Sequence, residues 1–398
     1  MLSEQSAATV RATLPAVGAA IGEITERFYA GLFAAHPALL RDVFNRGNQA
    51  AGTQRQALAG SIAAFATHLV DHPDQRPDAM LARIAHKHAS LGVTPEQYAV
   101  VHEHLFAAIA AIAAVLGAAV TPEVAAAWDE VYWLMANALV AVEKRLYEES
   151  GSRERRLWEV VERVTETADV ASFRLRPADG GPVAGFRAGQ YVSVRVELAD
   201  GARQIRQYSL SGAPGSGIRQ FSVKRVRGGD AGPDGEVSNH LHARVREGDL
   251  LELSEPYGDL VLDVDDTTPL LLASAGIGVT PMIAMLAQLA EDGHGAPVTV
   301  VHGDRSPADH ALLDDHEAYA GKLADATTWF WYERDVPAGA HRGLVDLTAV
   351  PVAPGTRAYL CGPLPFMRTV RTQLIERGVA PADIHYEVFG PDLWLAKS

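Results

Sequence analysis

Two positions in the first 150 residues have the type and setting to do chemistry. In "RIAHKHASLGVTPEQY" (83–98), His88 falls on the same stripe as Ile84 and Leu91, the i, i+4, i+7 pattern of one helical face. His86 and Lys87 lie off that stripe. A histidine on an apolar face is either a core residue donating to a carbonyl or a ligand for a metal or haem, and the spacing leaves both open. Glu143 sits among Leu139, Val142 and Leu146. An ionised carboxylate there is costly unless something pairs with it; the other reading is a flank residue reaching water beside Lys144.

The later residues hold groups suited to a nucleotide. "LLLASAGIGVTPMIAML" (270–286) reads as strand, glycine turn and helix. Gly276 and Gly278 permit a tight turn close to a pyrophosphate, Thr280 can cap the helix, and Pro281 fits its first turn. The helix start then offers N–H groups to phosphate, although Pro281 stands where the full dinucleotide fingerprint has a third glycine. In "RQYSL" (206–210), Arg206 could neutralise a diphosphate, Tyr208 could stack on a flat ring, and Ser209 could bond a ring nitrogen. "GEVSNHLH" (235–242) resembles a helix start with Ser238 or Asn239 available to a phosphate oxygen. "YLCGP" (359–363) ends a strand at the edge where open sheets bind ligands. Each alone could be an ordinary turn, but their order argues for a common purpose. In "HGDRS" (302–306), Arg305 or Ser306 could read a 2′-phosphate or simply face solvent.

These groups need three kinds of scaffold. Residues 1–147 carry helical periodicity: Ile21, Ile24, Phe28 and Leu32 on one face, Leu58, Ile62, Phe65 and Leu69 on another, then segments at about 95–117 and 122–148. The polar stretch "EESGSRERRLW" marks a linker at 148–157. An antiparallel β domain is expected over 158–264, where "QYVSVRVEL" and "RQFSVKRV" alternate. Short apolar strands alternate with helices over 265–398, which predicts a doubly wound parallel sheet.

Composition narrows the class. At 398 residues more than one core is expected. A net charge of −14 argues against general nucleic-acid binding. With Cys361 the only cysteine, no intramolecular disulfide or thiolate cluster can form. The opening residues lack signal-peptide character. The apolar run 105–120 falls short of the roughly 20 residues that span a bilayer. A cytoplasmic protein is the expectation.

The motifs R-x-Y-S, G-x-x-S, G-x-G-x-T-P and C-G-P, in that order, resemble the ferredoxin–NADP reductase superfamily over residues 153–398, and "YEVFGP" (386–391) is similar to its flavin-facing end. The resemblance implies that Tyr191, Arg206, Gln207, Tyr208, Ser209 and Phe389 contact FAD. It also implies that Gly276, Gly278, Thr280 and the segment at Cys361 contact the nicotinamide nucleotide. Ser238, Ile277, Val279, Gly362, Pro363 and Glu387 join the cofactor-binding set. The first half resembles a globin, with His88 as proximal haem ligand and Tyr29, Phe44, Gln54 and Leu58 lining the distal side. Lys87 is placed beside the cofactor.

From Thr9 to Pro391 the chain resembles the flavohaemoglobin family: an all-α globin, an antiparallel β-barrel FAD domain and an α/β doubly wound nicotinamide-nucleotide domain. That resemblance implies a relay of Tyr98 and Glu143 with His88, and a hydrogen bond from Tyr29 to the haem ligand. The implied cofactors are haem b, FAD, and NADH or NADPH. The implied activity is nitric oxide dioxygenation, with NO and O₂ converted to nitrate, no nucleic acid, no obligatory protein partner and a monomeric chain. Val388 departs from a common cysteine, and the 225–239 loop looks extended. Two other classes stay open: an oxygen-binding or sensing globin, and a flavin reductase of external acceptors.

Overall fold

The computed structural model describes residues 2–115, 120–229, 233–262 and 268–390. Pro391, residues 230–232 of the 225–239 loop, residues 116–119 of the apolar run, and the expected boundary at 264/265 lie outside the described residues. The chain forms two compact units: Met1–Glu154 with Glu197–Ile205 and Gly390–Ser398, and Arg155–Val196 with Arg206–Phe389.

The helical unit contains α1 (Glu4–Ala35), α2 (Pro37–Asp42), α3 (Arg46–Ala50), α4 (Thr53–Asp71), α5 (Asp78–Leu91), α6 (Pro95–Val115) and α7 (Pro122–Ser150). The globin resemblance places Tyr29 in a second helix, but α1 runs unbroken for 32 residues with Pro15 inside it. The proline removes one backbone bond. Burial of Val10, Ile24, Phe28, Tyr29 and Leu32 along one face outweighs that loss. Ile24, Phe28, Tyr29 and Leu32 form a core with Leu105, Ala108 and Ile112 of α6. By length and composition α6 could cross a bilayer, which the shorter run at 105–120 did not suggest; here it supplies that core. Phe44 sits in the corner between α2 and α3.

The first sheet is built from β1 (Arg156–Thr165), β2 (Val170–Pro177), β3 (Tyr191–Glu197), β4 (Arg203–Ser209), β5 (Arg219–Lys224) and β6 (Leu250–Leu253), with α8 (Glu236–Arg244) before β6. Its order is β4-β3-β6-β1-β2-β5, and pairing is antiparallel for β1 with β2 and β6, β2 with β5, and β3 with β6. The outer strands meet through the Leu210–Phe221 bridge and a Ser211 N–H bond to Gln220 O at 2.8 Å, which closes the sheet into a barrel.

The last region contains β7 (Leu270–Ala275), α9 (Val279–Asp292), β8 (Val298–Asp304), α10 (Leu313–Ala320), β9 (Ala326–Tyr332), β10 (His341–Arg342), β11 (Arg357–Cys361), α11 (Leu364–Glu376) and β12 (Ile384–Glu387). All pairs are parallel, in the order β10-β9-β8-β7-β11-β12. From β7 the chain adds strands on one side, then returns to place β11 on the other. That reversal opens a crevice beyond the carboxyl ends of β7 and β11.

Candidate active site

Three helices bring His88, Tyr98 and Glu143 together. Helix α5 ends at Gly92, whose φ of 77° suits glycine, and Val93 N–H returns to His88 O at 3.1 Å. Tyr147 OH donates to Val93 O at 3.0 Å and Tyr132 OH to Tyr98 O at 2.6 Å, so α7 holds both the turn and the start of α6. His88 Nδ1 lies 2.9 Å from Glu143 Oε1 and 2.8 Å from Tyr98 OH, and Tyr98 OH donates to the same carboxylate oxygen. Glu143 is buried, whereas Lys144 is exposed, so the flank reading of Glu143 falls. One proton arrangement satisfies all three contacts: Nδ1–H shared between carboxylate and phenol oxygen, and the phenol O–H on the carboxylate. It leaves the Nε2 lone pair available to a metal. Burial and the Glu143 charge push the Tyr98 hydroxyl far above its ordinary range, so it stays a donor.

The stripe that carries His88 is less buried than its spacing predicts. The fully buried residues of α5 are Leu81, Ala85, Ala89 and Ser90, while Ile84, His88 and Leu91 are half-buried. The His88 side chain keeps 32% exposure. Phe44, Leu58 and Ile62 are likewise only partly covered although packed on the core. Half-covered apolar side chains in the same helical unit as an imidazole with a spare nitrogen fit a flat apolar group such as haem.

Tyr29 is buried, and its hydroxyl is pushed up to about 12, chiefly by burial and against the pull of hydrogen bonding to Gln54. Its ring packs against Phe28, Phe33 and Phe44, the last edge-on at 5.9 Å. Gln49 also approaches the hydroxyl, yet its buried Nε2 completes no hydrogen bond. Sequence reasoning missed Gln49, since nothing in its spacing distinguishes it from a polar residue of a short corner helix. Off the stripe, Lys87 Nζ donates to Gly390 O.

In the barrel, Tyr208 is half-buried and stacks on Phe221 at 5.4 Å and 13°, which leaves the other ring face for a planar ligand. Arg206 and Gln207 are half-buried beside it, Ser209 is buried, and Gln207 Nε2 reaches Ser193 Oγ at 3.4 Å. Tyr191 is buried and pairs through its backbone with Tyr257. Near the chain end Glu387 and Val388 are buried and Phe389 is 45% exposed. Gly189, unremarked in the sequence, admits no side chain: a Cβ there would stand 2.0 Å from Leu260 O.

In the nucleotide region the two glycines behave as expected. Gly276 has a φ of 53°, and a Cβ at Gly278 would lie 2.2 Å from Cys361 O. The turn of Gly276, Ile277, Gly278 and Val279 therefore packs directly on Cys361–Gly362–Pro363, at the crevice between β7 and β11. Lys224 Nζ lies 3.8 Å from the Cβ position of Gly276, a cation that sequence inspection did not single out. Burial raises the Cys361 thiol, so it is no ready nucleophile.

Local bonds bear on three of the sequence readings. Gly278, not Thr280, occupies the cap of α9, and Thr280 Oγ1 donates to Ile277 O at 3.0 Å. Ser238 is buried, with Oγ donating to Gly235 O and accepting from Val226 N–H, both at 3.1 Å, and Asn239 Nδ2 donates to Val226 O and Gly235 O. These side chains serve the local backbone before any phosphate. Arg305 and Ser306 Oγ both donate to Asp309, at 2.5 and 2.6 Å, and Arg334 joins them at 3.0 Å.

Comparison with known proteins agrees with this arrangement. The Globin model matches residues 26–139, the Oxidoreductase FAD-binding domain residues 158–261, and the Oxidoreductase NAD-binding domain residues 272–372. The flavohemoprotein of Rhizobium meliloti is 41% identical over 409 residues, covering 99% of this chain and all of that one. A flavohemoglobin crystal structure from Malassezia yamatoensis, with bound FAD and heme, superposes with a TM-score of 0.90 at 36% identity over 98% of this chain and all of that one. The FAD/NAD-binding domain of nitric oxide dioxygenase from Vibrio cholerae matches 60% of this chain and its own full length, with 37% identity and a TM-score of 0.56. Carrying a globin and both oxidoreductase domains in one chain, at this identity and over this length, the chain belongs to the flavohaemoglobin family.

Proposed function

We propose that the chain is a nitric oxide dioxygenase, converting NO and O₂ to nitrate with electrons from NAD(P)H. The observation that carries this reading is the buried Glu143 carboxylate accepting from His88 Nδ1. A carboxylate hydrogen-bonded to a ligating imidazole would make it a stronger donor to iron, suited to oxygen activation more than to reversible storage. When bound, the cofactors supply the redox chemistry, NAD(P)H giving hydride to FAD and FAD giving single electrons to haem b.

The chain's own residues position that chemistry. His88 offers Nε2 to the iron, with Tyr98 and Glu143 fixing its tautomer. Tyr29 presents a neutral O–H to negative charge developing on oxygen, and its elevated pKa of about 12 keeps that proton in place. Phe44, Gln54 and Leu58 would line the haem pocket with Tyr29. In the barrel, Arg206, Gln207, Tyr208, Ser209, Tyr191, Glu387 and Phe389 would hold FAD, Arg206 by its charge at the diphosphate and the tyrosines against the ring system. Gly276 and Gly278, with Cys361–Pro363, let the nicotinamide nucleotide approach the backbone. With Arg305 and Ser306 held by Asp309, NADH fits better than a nucleotide carrying a 2′-phosphate. The working domains are 1–147, 158–264 and 265–398, acting as a monomer on small molecules in the cytoplasm.

The test is NO consumption by the purified full chain. NADH should drive NO loss with nitrate as product, only when O₂ is present and only when haem is bound. Undiminished NO loss by haem-free, FAD-loaded protein would favour the reductase of external acceptors instead.

A further inference from the structure

The nucleotide region holds a histidine cluster that the redox chemistry does not use. His302 lies on β8, His310 in the turn before α10, and His316 on α10; they are 0%, 3% and 0% exposed. One ring nitrogen from each lies within 4.8 Å of the others. Leu312, at a φ of 58°, adopts the left-handed backbone as the chain passes from His310 into α10. Such strain in a non-glycine residue persists where the surroundings enforce it.

The protons in this cluster do not balance. His310 Nδ1 meets Tyr332 OH at 2.8 Å, and its Nε2 meets His316 Nδ1 at 3.1 Å. Whichever way that chain of donors runs, His316 Nε2 is buried with no partner, either as an N–H without an acceptor or as a lone pair without a donor. At His302, Nδ1 meets Ser274 Oγ at 2.8 Å, and that hydroxyl donates to Val301 O at 3.4 Å. His302 Nε2 is likewise buried without a completed hydrogen bond, facing the Asp304 carboxylate 3.6 Å away.

We propose that His302, His310 and His316 form a site for one divalent transition metal of the zinc class. Three imidazole donors suit Zn²⁺. Bonds of about 2.0–2.1 Å give a tetrahedron edge of about 3.3 Å; the ring nitrogens lie within 4.8 Å of one another, so the rings close in on the ion when it binds. His302, stacked on His310 with centroids 3.9 Å apart at 22°, must tilt so that both ring planes meet at one point. The ion would tie the carboxyl end of β8 to α10, beside the Arg305–Asp309 loop.

The probe is Zn²⁺ on the full-length holoenzyme. After equilibration with zinc sulfate and passage over a chelating resin, elemental analysis should find one zinc per chain besides the haem iron. Zinc-edge X-ray absorption should show a nitrogen/oxygen shell at about 2.0 Å with the outer scattering of three imidazoles. His302→Gln and His316→Gln should each bring zinc content down to background while FAD and haem contents hold. His68→Gln with His72→Gln, a surface pair whose rings lie 5.1 Å apart, should change nothing. Zinc removed entirely by the resin, retained by both cluster variants, or lost with the surface pair would overturn the assignment. Should the cluster variants fail to fold, the wild-type absorption spectrum decides alone, and fewer than three imidazoles refutes the site.

Discussion

Replacing Glu143 by Gln tests the proximal arrangement without changing its shape. The amide keeps an oxygen where Oε1 accepts from His88 Nδ1 at 2.9 Å and from Tyr98 OH, but removes the charge. A hydrogen bond to a charged group contributes roughly 1.5–3 kcal/mol against about 1 for a neutral pair, so the His88 bond loses about 0.5–2 kcal/mol. The carboxylate favours the more positive, ferric iron through the imidazole, so its loss raises the haem midpoint potential. At 59 mV per tenfold change for one electron, the shift is about 20–80 mV upward. Spectroelectrochemical titration of the haem band in the full-length protein measures it, with the flavin couple as internal standard. Tyr98→Phe is the counterpart: it leaves the carboxylate to His88 alone and should hold the potential or lower it. An unchanged potential in Glu143→Gln with haem bound would refute the argument that this carboxylate acts on iron.

Other outcomes follow from the same geometry. His88→Ala should abolish stable haem binding while FAD stays bound, and His86→Ala should leave the haem spectrum unaltered. Tyr29→Phe should speed O₂ dissociation about ten- to a hundredfold, the effect of losing a hydrogen bond of roughly 1.5–3 kcal/mol to a charge-bearing group, read by flash photolysis. Because the Tyr29 pKa is raised from 10.0 to about 12, its neutral O–H persists as pH passes 10, so slow O₂ release in the wild type should stay flat from about pH 6 to 10. Gly278→Ala sets a Cβ 2.2 Å from Cys361 O. Overpacking of this kind costs about 1–3 kcal/mol, so NADH-to-FAD reduction should fall roughly five- to 150-fold in stopped flow, with O₂ binding by the globin unchanged.

The sequence made the order of domains readable because their hydrophobic periods differ, and it placed His88 on a stripe with Ile84 and Leu91. It could not show that Tyr98 and Glu143, from two other helices, meet His88 at one oxygen, since that follows from how α5, α6 and α7 pack. Thr280 has the right type to cap a helix, but the Ile277 carbonyl claims its hydroxyl first. Continuity of α1 through Pro15 was hidden because a proline is a local signal, whereas the apolar face that overrides it spans the whole helix. The histidine cluster escaped notice because intervals of eight and six residues across strand, turn and helix match no single period.

Gln204 bears on how such a protein could be divided. Its buried side-chain amide donates to the carbonyls of Leu40, Arg41 and Phe44, and Arg46 N–H bonds to its Oε1 at 3.4 Å, while Arg46 pairs with Asp200 at 2.7 Å. Residues 197–205 thus group with the helices although they lie within the barrel's stretch of sequence. A chain cut after α7 would take these residues away from the carbonyls they satisfy, at the point where β4 runs on into Arg206. The severed fragment would have to rehydrate the Gln204 amide, and its strand would fray from that end toward Arg206. Modularity in this protein is therefore uneven: one break between the compact units falls at Glu154/Arg155, and another falls inside β4, between Ile205 and Arg206.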